Sequence, residues 1–366
     1  MNDVKLIPLD ELTPAVREAL GNAGLPGDEA DIVADCFVDA SLRGIDTHGV
    51  NMLPEYLDRI LAKGWVIPST ARVVDRRGAT ALVDGGAGLG QVTARLAMSE
   101  ATMLAADHGI GLVGARNSSH FGAAGYFARM ATEHAMIGMV FTNASPAMAP
   151  EGGADRLLSN NPWAIAVPSG DECPLVLDIA NSIVARSRIR MAAQLGDSIP
   201  STWAMNVDGE PTTDAREALR GSLLPMGGHK GYGIALMVDV LSGILTGSSY
   251  GPDVGPPFQI ALDDSPDGRA PEYAPQGVGH LMIAIDASVF RPLEDFKDEV
   301  GRMNGRLRES RPASGRKTVM VPGDPECATE LVRRRDGIPV RTEAWEAIVA
   351  NQHRLPQAVH HEGGKQ

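Results

Sequence analysis

From residue 8 to residue 43, apolar side chains recur every three or four positions, a period that predicts two helices. The first starts in the run from Asp10 to Leu20 and stops at the breaker residues between Asn22 and Gly27. Asp28 is placed to cap the second, in which Ala30, Ile32, Val33, Cys36, Phe37 and Ala40 share one side. Leu53 to Leu61 reads as a third helix that ends near Gly64. From Ala71 the period shortens. Ala71–Asp75 and Thr80–Gly85 are short β-type runs, and a glycine cluster, Gly86 to Gln91, leads into a helix over Ala94–Asp107. That cluster is spaced G-x-G-x-G rather than G-x-G-x-x-G, and no acidic residue closes a second strand at the expected distance. It therefore reads as a tight strand-to-helix turn, not as a Rossmann fingerprint.

Further on, apolar strands repeatedly run into polar turns. Ile110–Gly114 leads to Asn117, Ser118 and His120, and Met136–Phe141 leads to Thr142 and Asn143. Ala164–Pro168 follows Asn160-Asn161-Pro162, and the strand from Leu175 reaches Asp178 and then small residues. Arg186, Arg188 and Arg190 come next, either a solvated helix face or a grip on a cofactor phosphate. Trp203–Asp214 is hairpin-like. The glycine-rich run Leu224–Ile234 surrounds Lys230 and enters a long apolar helix over Ala235–Leu245, a reasonable anion site. Residues 248–278 read as a long loop, His280–Asp286 as a strand and Phe296–Glu309 as a helix. Thr318–Pro322 reads as a strand, Thr342–Asn351 as the closing helix, and His360–Gln366 as a disordered tail.

Composition narrows the function. At 366 residues the chain suggests two domains. Hydrophobic and charged fractions of 43% and 22% are ordinary for a soluble globular protein. A net charge of −13 argues against nucleic acid as a partner, since no basic stripe is there to meet phosphates. No run of roughly 18 apolar residues suggests a membrane span, and no signal peptide is visible. Cys36, Cys173 and Cys327 are far apart, make no metal-ligand spacing and fit a reducing, cytoplasmic setting. There is no nucleophile elbow, HExxH, P-loop or carboxylate cluster for two metals.

The candidate chemistry lies on glycine-bounded turns. Asp46, Thr47 and His48 sit between Gly44 and Gly49, and a histidine with a pKa near ~6.5 suits proton transfer at neutral pH. On this stretch alone, a surface or helix-capping histidine is the favoured reading. At the second turn, Asn117 and Ser118 could cap a helix while His120 packs, or the turn could face a ligand. Together with Asn143, Asp178 and Lys230, these turns suggest acid/base chemistry and binding of a small anion, a profile that favours a cofactor-dependent enzyme.

The ordered motifs Arg-Gly-Ile-Asp-Thr-His-Gly, Gly-Leu-Gly-Gln, Asn-Ser-Ser-His-Phe-Gly-Ala-Ala-Gly-Tyr, Thr-Asn-Ala-Ser-Pro, Asn-Asn-Pro, Leu-Asp-Ile-Ala, Pro-Met-Gly-Gly-His-Lys-Gly-Tyr-Gly and Val-Pro-Gly-Asp span roughly residues 5–355. In this order they resemble the malate/L-lactate dehydrogenase family of non-Rossmann type, which also holds ureidoglycolate, sulfolactate, diketogulonate and cyclic-imine carboxylate oxidoreductases. The resemblance implies an α/β fold with a non-Rossmann NAD(P)-binding sheet domain over residues 71–224. It also implies a mainly helical domain from residues 1–70 plus about 225–366. The implied reaction is hydride transfer between NAD (NADP is an alternative) and the carbon next to a carboxylate, in a cytoplasmic homodimer.

The resemblance implies roles as well. His48 matches the family's acid/base histidine, with Thr47 beside it, and His120 matches a second histidine that serves in some members. Asp178, Ile179, Ala180 and Ser182, His229 and Lys230, and the turn Pro322-Gly323-Asp324 match cofactor-contacting segments, as does His120. No metal is implied. The departures concern substrate: members usually have Ser at Thr47, Arg at Met52, Thr at Asn160 and Tyr at His229. A thioether at Met52 cannot clamp a carboxylate as arginine does, which points away from malate and lactate toward a bulkier or less acidic substrate. Two alternatives remain: a cofactor-independent lyase or racemase using both histidines, and a non-catalytic binding protein on the same fold.

Overall fold

The shift from helical to β-type periodicity near residue 71 is the seam between two units in the computed structural model, which describes residues 3–257 and 274–353. Along the chain lie β1 (Val4–Ile7), α1 (Leu9–Ala23), α2 (Gly27–Leu42) and α3 (Leu53–Leu61). Then come β2 (Arg72–Arg77), β3 (Thr80–Asp84), α4 (Gly90–His108), β4 (Ile110–Ser118), α5 (Ala124–Thr132) and β5 (Met136–Thr142). They are followed by β6 (Trp163–Val167), β7 (Leu175–Ile179), α6 (Arg186–Leu195), β8 (Ala204–Met205), α7 (Ala215–Arg220), β9 (Ser222–Leu223) and α8 (His229–Asp239). The last are β10 (Val278–Asp286), α9 (Leu293–Arg308), α10 (Asp324–Asp336), β11 (Ile338–Arg341) and α11 (Thr342–Gln352).

Among the described residues, one unit comprises 3–70 and 326–353. Its helices bury Leu12, Val16, Leu20, Val33, Phe37, Leu53, Tyr56 and Ile348, the periodic apolar positions of the sequence. β1 and β11 close it as an antiparallel pair. The Tyr56 ring meets Phe37 edge-on at 4.8 Å and Trp65 at 5.0 Å, and so seats α3 against α2. The expected cap at Asp28 is not formed. Pro26 precedes the helix without a side-chain cap, and Asp28 lies inside the first turn, where a carboxylate still complements the positive helix end.

The second unit, 71–257 and 274–325, is built on a seven-stranded sheet of order β2-β3-β4-β10-β5-β6-β7. Only β3 and β4 run parallel; the other neighbours are antiparallel. The expected division at about residue 225 is therefore corrected. β10 is hydrogen-bonded between β4 and β5 in the middle of the sheet, so residues 225–257 and 274–325 fold with it. Glycine lets three helical segments lie directly on this sheet. A Cβ at Gly111, Gly138 or Gly279 would come within 1.9, 2.1 or 1.8 Å of the carbonyl oxygens of Ala101, Ala128 and Ser242.

Other expectations also shift. The helix expected from Ala235 begins at His229 and continues as a π-helical turn, Val240–Ile244. Thr318–Pro322 forms no strand. Of the long loop expected over 248–278, residues 258–273 lie outside the described residues, as does the tail at His360–Gln366. Among the described residues, no helix is long and apolar enough to cross a membrane.

Candidate active site

The turn carrying His48 is fixed by its neighbours on both sides. Ser41, near the end of α2, accepts a hydrogen bond from the Val50 amide through its Oγ at 2.9 Å. This brings the turn so close to α2 that a Cβ at Gly49 would sit 2.1 Å from Ser41 Oγ, so any side chain at position 49 would have to displace Ser41. From the other side comes α10. Arg333 donates to both carboxylate oxygens of Asp46, at 2.5 and 3.0 Å, and to the Ser41 carbonyl. Arg43 pairs with Glu330 at 2.9 Å.

Within this frame, the His48 amide donates to the Ile45 carbonyl at 2.9 Å, and Thr47 Oγ1 lies 3.1 Å from His48 Nδ1. The ring is half-buried, and desolvation pulls its pKa down to about 4, so it is neutral at neutral pH. Thr47 Oγ1 engages Nδ1, one of the two ring nitrogens through which an imidazole exchanges a proton. Met52 closes the turn, its amide donating to the Gly49 carbonyl at 2.9 Å. Arg59, two helical turns beyond, does not replace the missing arginine. It is 1% exposed, its guanidinium lies 4.7 Å over the Trp65 ring, and its Nε donates to Gly64 O at 3.2 Å.

In the sheet unit, His120 follows the end of β4. The expected capping by Asn117 and Ser118 is not seen, since α5 starts at Ala124. Instead Asn117 adopts a left-handed φ of 50° and donates from Nδ2 to the Asp84 carboxylate. Ser119 Oγ donates to the Gly88 carbonyl at 2.8 Å, and the His120 amide donates to Gln276 Oε1 at 3.1 Å. The glycine cluster after β3 now has a purpose. A Cβ at Gly90 would lie 2.1 Å from the Ser119 carbonyl and 2.6 Å from that of His120, so α4 begins flush against the His120 turn.

The cofactor candidates gather around the end of β7. Asp178 Oδ2 accepts from the Gly125 amide at 2.8 Å, in the first turn of α5, which joins β7 to the turn after His120. Val176 donates to the Pro322 carbonyl at 3.1 Å, bringing Pro322-Gly323-Asp324 alongside. Asp324 is itself held by Arg308, whose hydrogen bonds keep the carboxyl below the usual carboxylate range. Asn181 ties in the glycine-rich run: its carbonyl accepts from Met226, and its Oδ1 accepts from Trp163 Nε1. Ser182 bridges to Pro225. His229 and Lys230 are exposed on the first turn of α8, after Gly227 and Gly228, each at φ 61°. Ile179 and Ala180 are half-buried between them. Small residues, open glycines and an uncapped helix start with a lysine are a donor set that suits a flat, phosphate-bearing dinucleotide.

The structure thus brings Asp178, Ile179, Ala180, Ser182, His229, Lys230 and Pro322–Asp324 into one connected set, with His120 on the adjoining turn. Asn143, in contrast, is a structural post. Its Nδ2 donates to Asp239 Oδ1 and Ser249 O, and its Oδ1 accepts from Gly279. Sequence reasoning missed Arg333, Gln276 and His280. His280 is fully buried in β10, with Nε2 at 2.7 Å from Ser118 Oγ and Nδ1 at 2.8 Å from Thr142 Oγ1. A histidine on an otherwise apolar strand was the one available signal. Among the described residues, no group of three or more His, Cys, Asp or Glu is placed to hold a metal ion.

A mixed α/β architecture with a mostly antiparallel central sheet matches that of solved dehydrogenase structures. The family model "Malate/L-lactate dehydrogenase" matches residues 7–349, and the chain belongs to that family. It is 38% identical over 350 residues to the malate dehydrogenase of Pyrococcus horikoshii, covering 93% of each chain. The solved structure of that enzyme superposes with a TM-score of 0.84 at 36% identity, over 97% of each chain. It is 37% identical over 286 residues to (2R)-3-sulfolactate dehydrogenase (NADP(+)) from Chromohalobacter salexigens, covering 78% of this chain and 82% of that one. Ureidoglycolate dehydrogenase (NAD(+)) from Escherichia coli strain K12 is 31% identical over 346 residues, with 94% and 95% covered. These relatives are dehydrogenases of hydroxy acids, and two carry NAD(+) or NADP(+) in their names.

Proposed function

We propose that this chain is an NAD(P)-dependent oxidoreductase that transfers hydride between nicotinamide and the carbon α to a carboxylate, with His48 as its acid/base. The observation that carries this reading is the Thr47–His48 pair: an imidazole with Nδ1 3.1 Å from a hydroxyl, on a turn held by Ser41 and Arg333. In the oxidation direction, Nδ1–H donates to Thr47 Oγ1 and the Nε2 lone pair takes the proton of the substrate hydroxyl. In the reduction direction, His48 returns that proton to the oxygen or nitrogen on which negative charge develops. When bound, the nicotinamide accepts or supplies the hydride. Asp178–Ser182, His229, Lys230 and Pro322–Asp324 bind and orient the dinucleotide, and His120 lines the same cradle as a second acid/base candidate.

Met52 directs substrate choice. Without an arginine there, a dicarboxylate or small 2-hydroxy acid loses its strongest clamp, so a bulkier or less acidic substrate, such as a cyclic imine carboxylate or a modified 2-oxo acid, fits better. A screen of 2-oxo acids, 2-hydroxy acids and imine carboxylates with both dinucleotides, read at the nicotinamide absorbance, tests this. Turnover of malate or lactate at rates of about 1–1000 per second would overturn the substrate reading.

A homodimer completes the proposal. Ile234, Met237, Ile244 and Leu245 are exposed along α8 and the π-helical turn beyond it. Such an apolar helix face supports self-association beside the Lys230 turn.

A further inference from the structure

From the last residue of β4 onward, Ser118, Ser119, His120 and Phe121 are each held by a contact to another part of the sheet unit. Ser119 Oγ donates to the Gly88 carbonyl, and the His120 amide donates to Gln276 Oε1. Ser118 and Phe121 share one partner, His280 of β10, which is fully buried. Its Nε2 lies 2.7 Å from Ser118 Oγ, and its ring meets that of Phe121 at 4.7 Å. Phe121 in turn stacks on Phe127 of α5 at 4.9 Å, in the helix whose Gly125 amide donates to Asp178. One imidazole therefore touches the residues on both sides of the Ser119–His120 pair.

The hydrogen bonds around His280 run in one direction. Thr142 has a single hydroxyl hydrogen, and its Oγ1 lies 3.0 Å from Asn143 O and 3.2 Å from Gly279 O. Carbonyls only accept, so that hydrogen points at them, and Oγ1 is left to accept from His280 Nδ1 at 2.8 Å. Nδ1 therefore carries the ring proton, Nε2 is bare, and Ser118 Oγ donates to it. Burial favours this neutral form by pulling the pKa down to about 3. The far end of the chain is fixed as well. The Gly279 amide donates to Asn143 Oδ1, and Asn143 Nδ2 donates to Asp239 at the end of α8. A buried polar chain thus runs from Asp239 through Asn143, Gly279, Thr142 and His280 to Ser118. On this otherwise apolar strand a hydrocarbon side chain would avoid the cost of burying two ring nitrogens, so the directed hydrogen bonds are what the histidine contributes.

We propose that His280 is a positioning residue for the His120 turn, acting through Ser118 and Phe121 in its Nδ1–H tautomer. Being fully buried, it acts on a ligand only by setting where that turn stands. Its effect on dinucleotide binding rests on the reading that places His120 in the cradle; the tautomer and its hold on the turn rest on the hydrogen bonds.

The test compares wild type with His280→Phe, Ser118→Ala and His280→Gln. The first keeps a ring beside Phe121 and removes both nitrogens, and the second removes one hydroxyl. The third restores a donor toward Thr142 and an acceptor toward Ser118. NADH and NADPH are titrated by fluorescence, with folding checked by thermal melting; if His280→Phe does not fold, Ser118→Ala decides. The expected result is a dinucleotide Kd raised about tenfold in His280→Phe and Ser118→Ala and brought back to within about threefold of wild type in His280→Gln. Lower melting temperatures with unchanged Kd would reduce His280 to a packing residue and overturn the proposal. A second readout needs no dinucleotide: the nuclear magnetic resonance spectrum of protein labelled at its histidine ring nitrogens. His280 is expected as the Nδ1–H tautomer, and the His120 ring resonances are expected to shift in Ser118→Ala. An Nε2–H or charged His280, or unmoved His120 resonances, would overturn the proposal. Wild type that binds neither dinucleotide would defeat the hydride-transfer reading, while the histidine spectrum still decides the positioning.

Discussion

Arg333 grips both carboxylate oxygens of Asp46, two residues before His48, with only 14% of its own side chain exposed. The His48 turn is thus held by a side chain from α10, far away in sequence. Arg333→Ala is expected to lower kcat about tenfold or more, with a stability loss of only about 1–2 kcal/mol, because Asp46 stays partly solvated. Arg333→Lys keeps the charge but loses the two-pronged grip, and should fall between the two. Steady-state rates beside denaturation curves measure both; full activity in Arg333→Ala would remove α10 from the mechanism.

The tight contact at Gly49 gives a second expectation. Gly49→Ala places a methyl 2.1 Å from Ser41 Oγ and should displace the His48 turn, reducing activity more than stability. Adding Ser41→Gly removes the clashing hydroxyl and should restore part of the rate. If the double variant were no better than the single one, Ser41 would not be what excludes a side chain there.

Acid pH reads the histidine directly. Desolvation holds His48 neutral until about pH 4, so it remains a competent base well below ~6.5, the ordinary histidine value. In the oxidation direction, kcat/KM should stay level as pH drops through ~6.5 and decline only toward 4. A midpoint near the ordinary value would mean that another group, or an imidazole open to water, carries the proton.

Stability should also depend on acid. His48 and His280 titrate at about 4 and about 3 when folded, both lowered by burial, whereas the unfolded chain takes up these protons near ~6.5. Below ~6.5 the unfolded state binds more protons, so stability is full above that pH. It is then lost as pH falls toward the folded values, by at most about 1.4 kcal/mol per pH unit for each histidine. Urea denaturation at two pH values measures the slope. His280→Gln, which keeps hydrogen-bonding capacity between Ser118 and Thr142, should reduce it; an unchanged slope would assign the acid sensitivity elsewhere.

Much of this could be read from the sequence because the signals were local. The helical period of residues 8–61, the strands ending in polar turns, and the glycines around Lys230 each lie within a short window. What escaped depends on distance along the chain. β10 looked like one more strand, and only its pairing with Ile110–Ser118 and Met136–Thr142 shows that it centres the sheet. α10 has no buried residue and so no apolar stripe; its worth lies in Thr329, Glu330 and Arg333, which meet the His48 turn. Gln276 gave no signal, since its role is a single hydrogen bond to the His120 amide.

The most direct test of His48 as the acid/base is His48→Asn, measured for turnover and for dinucleotide binding on the same preparation. Asparagine keeps polarity near Thr47 but cannot take up a proton at these pH values. The expected result is a kcat lower by a factor of about 100 or more, with dinucleotide affinity within about twofold of wild type. Wild-type turnover in His48→Asn would contradict the assignment and move the acid/base role to His120.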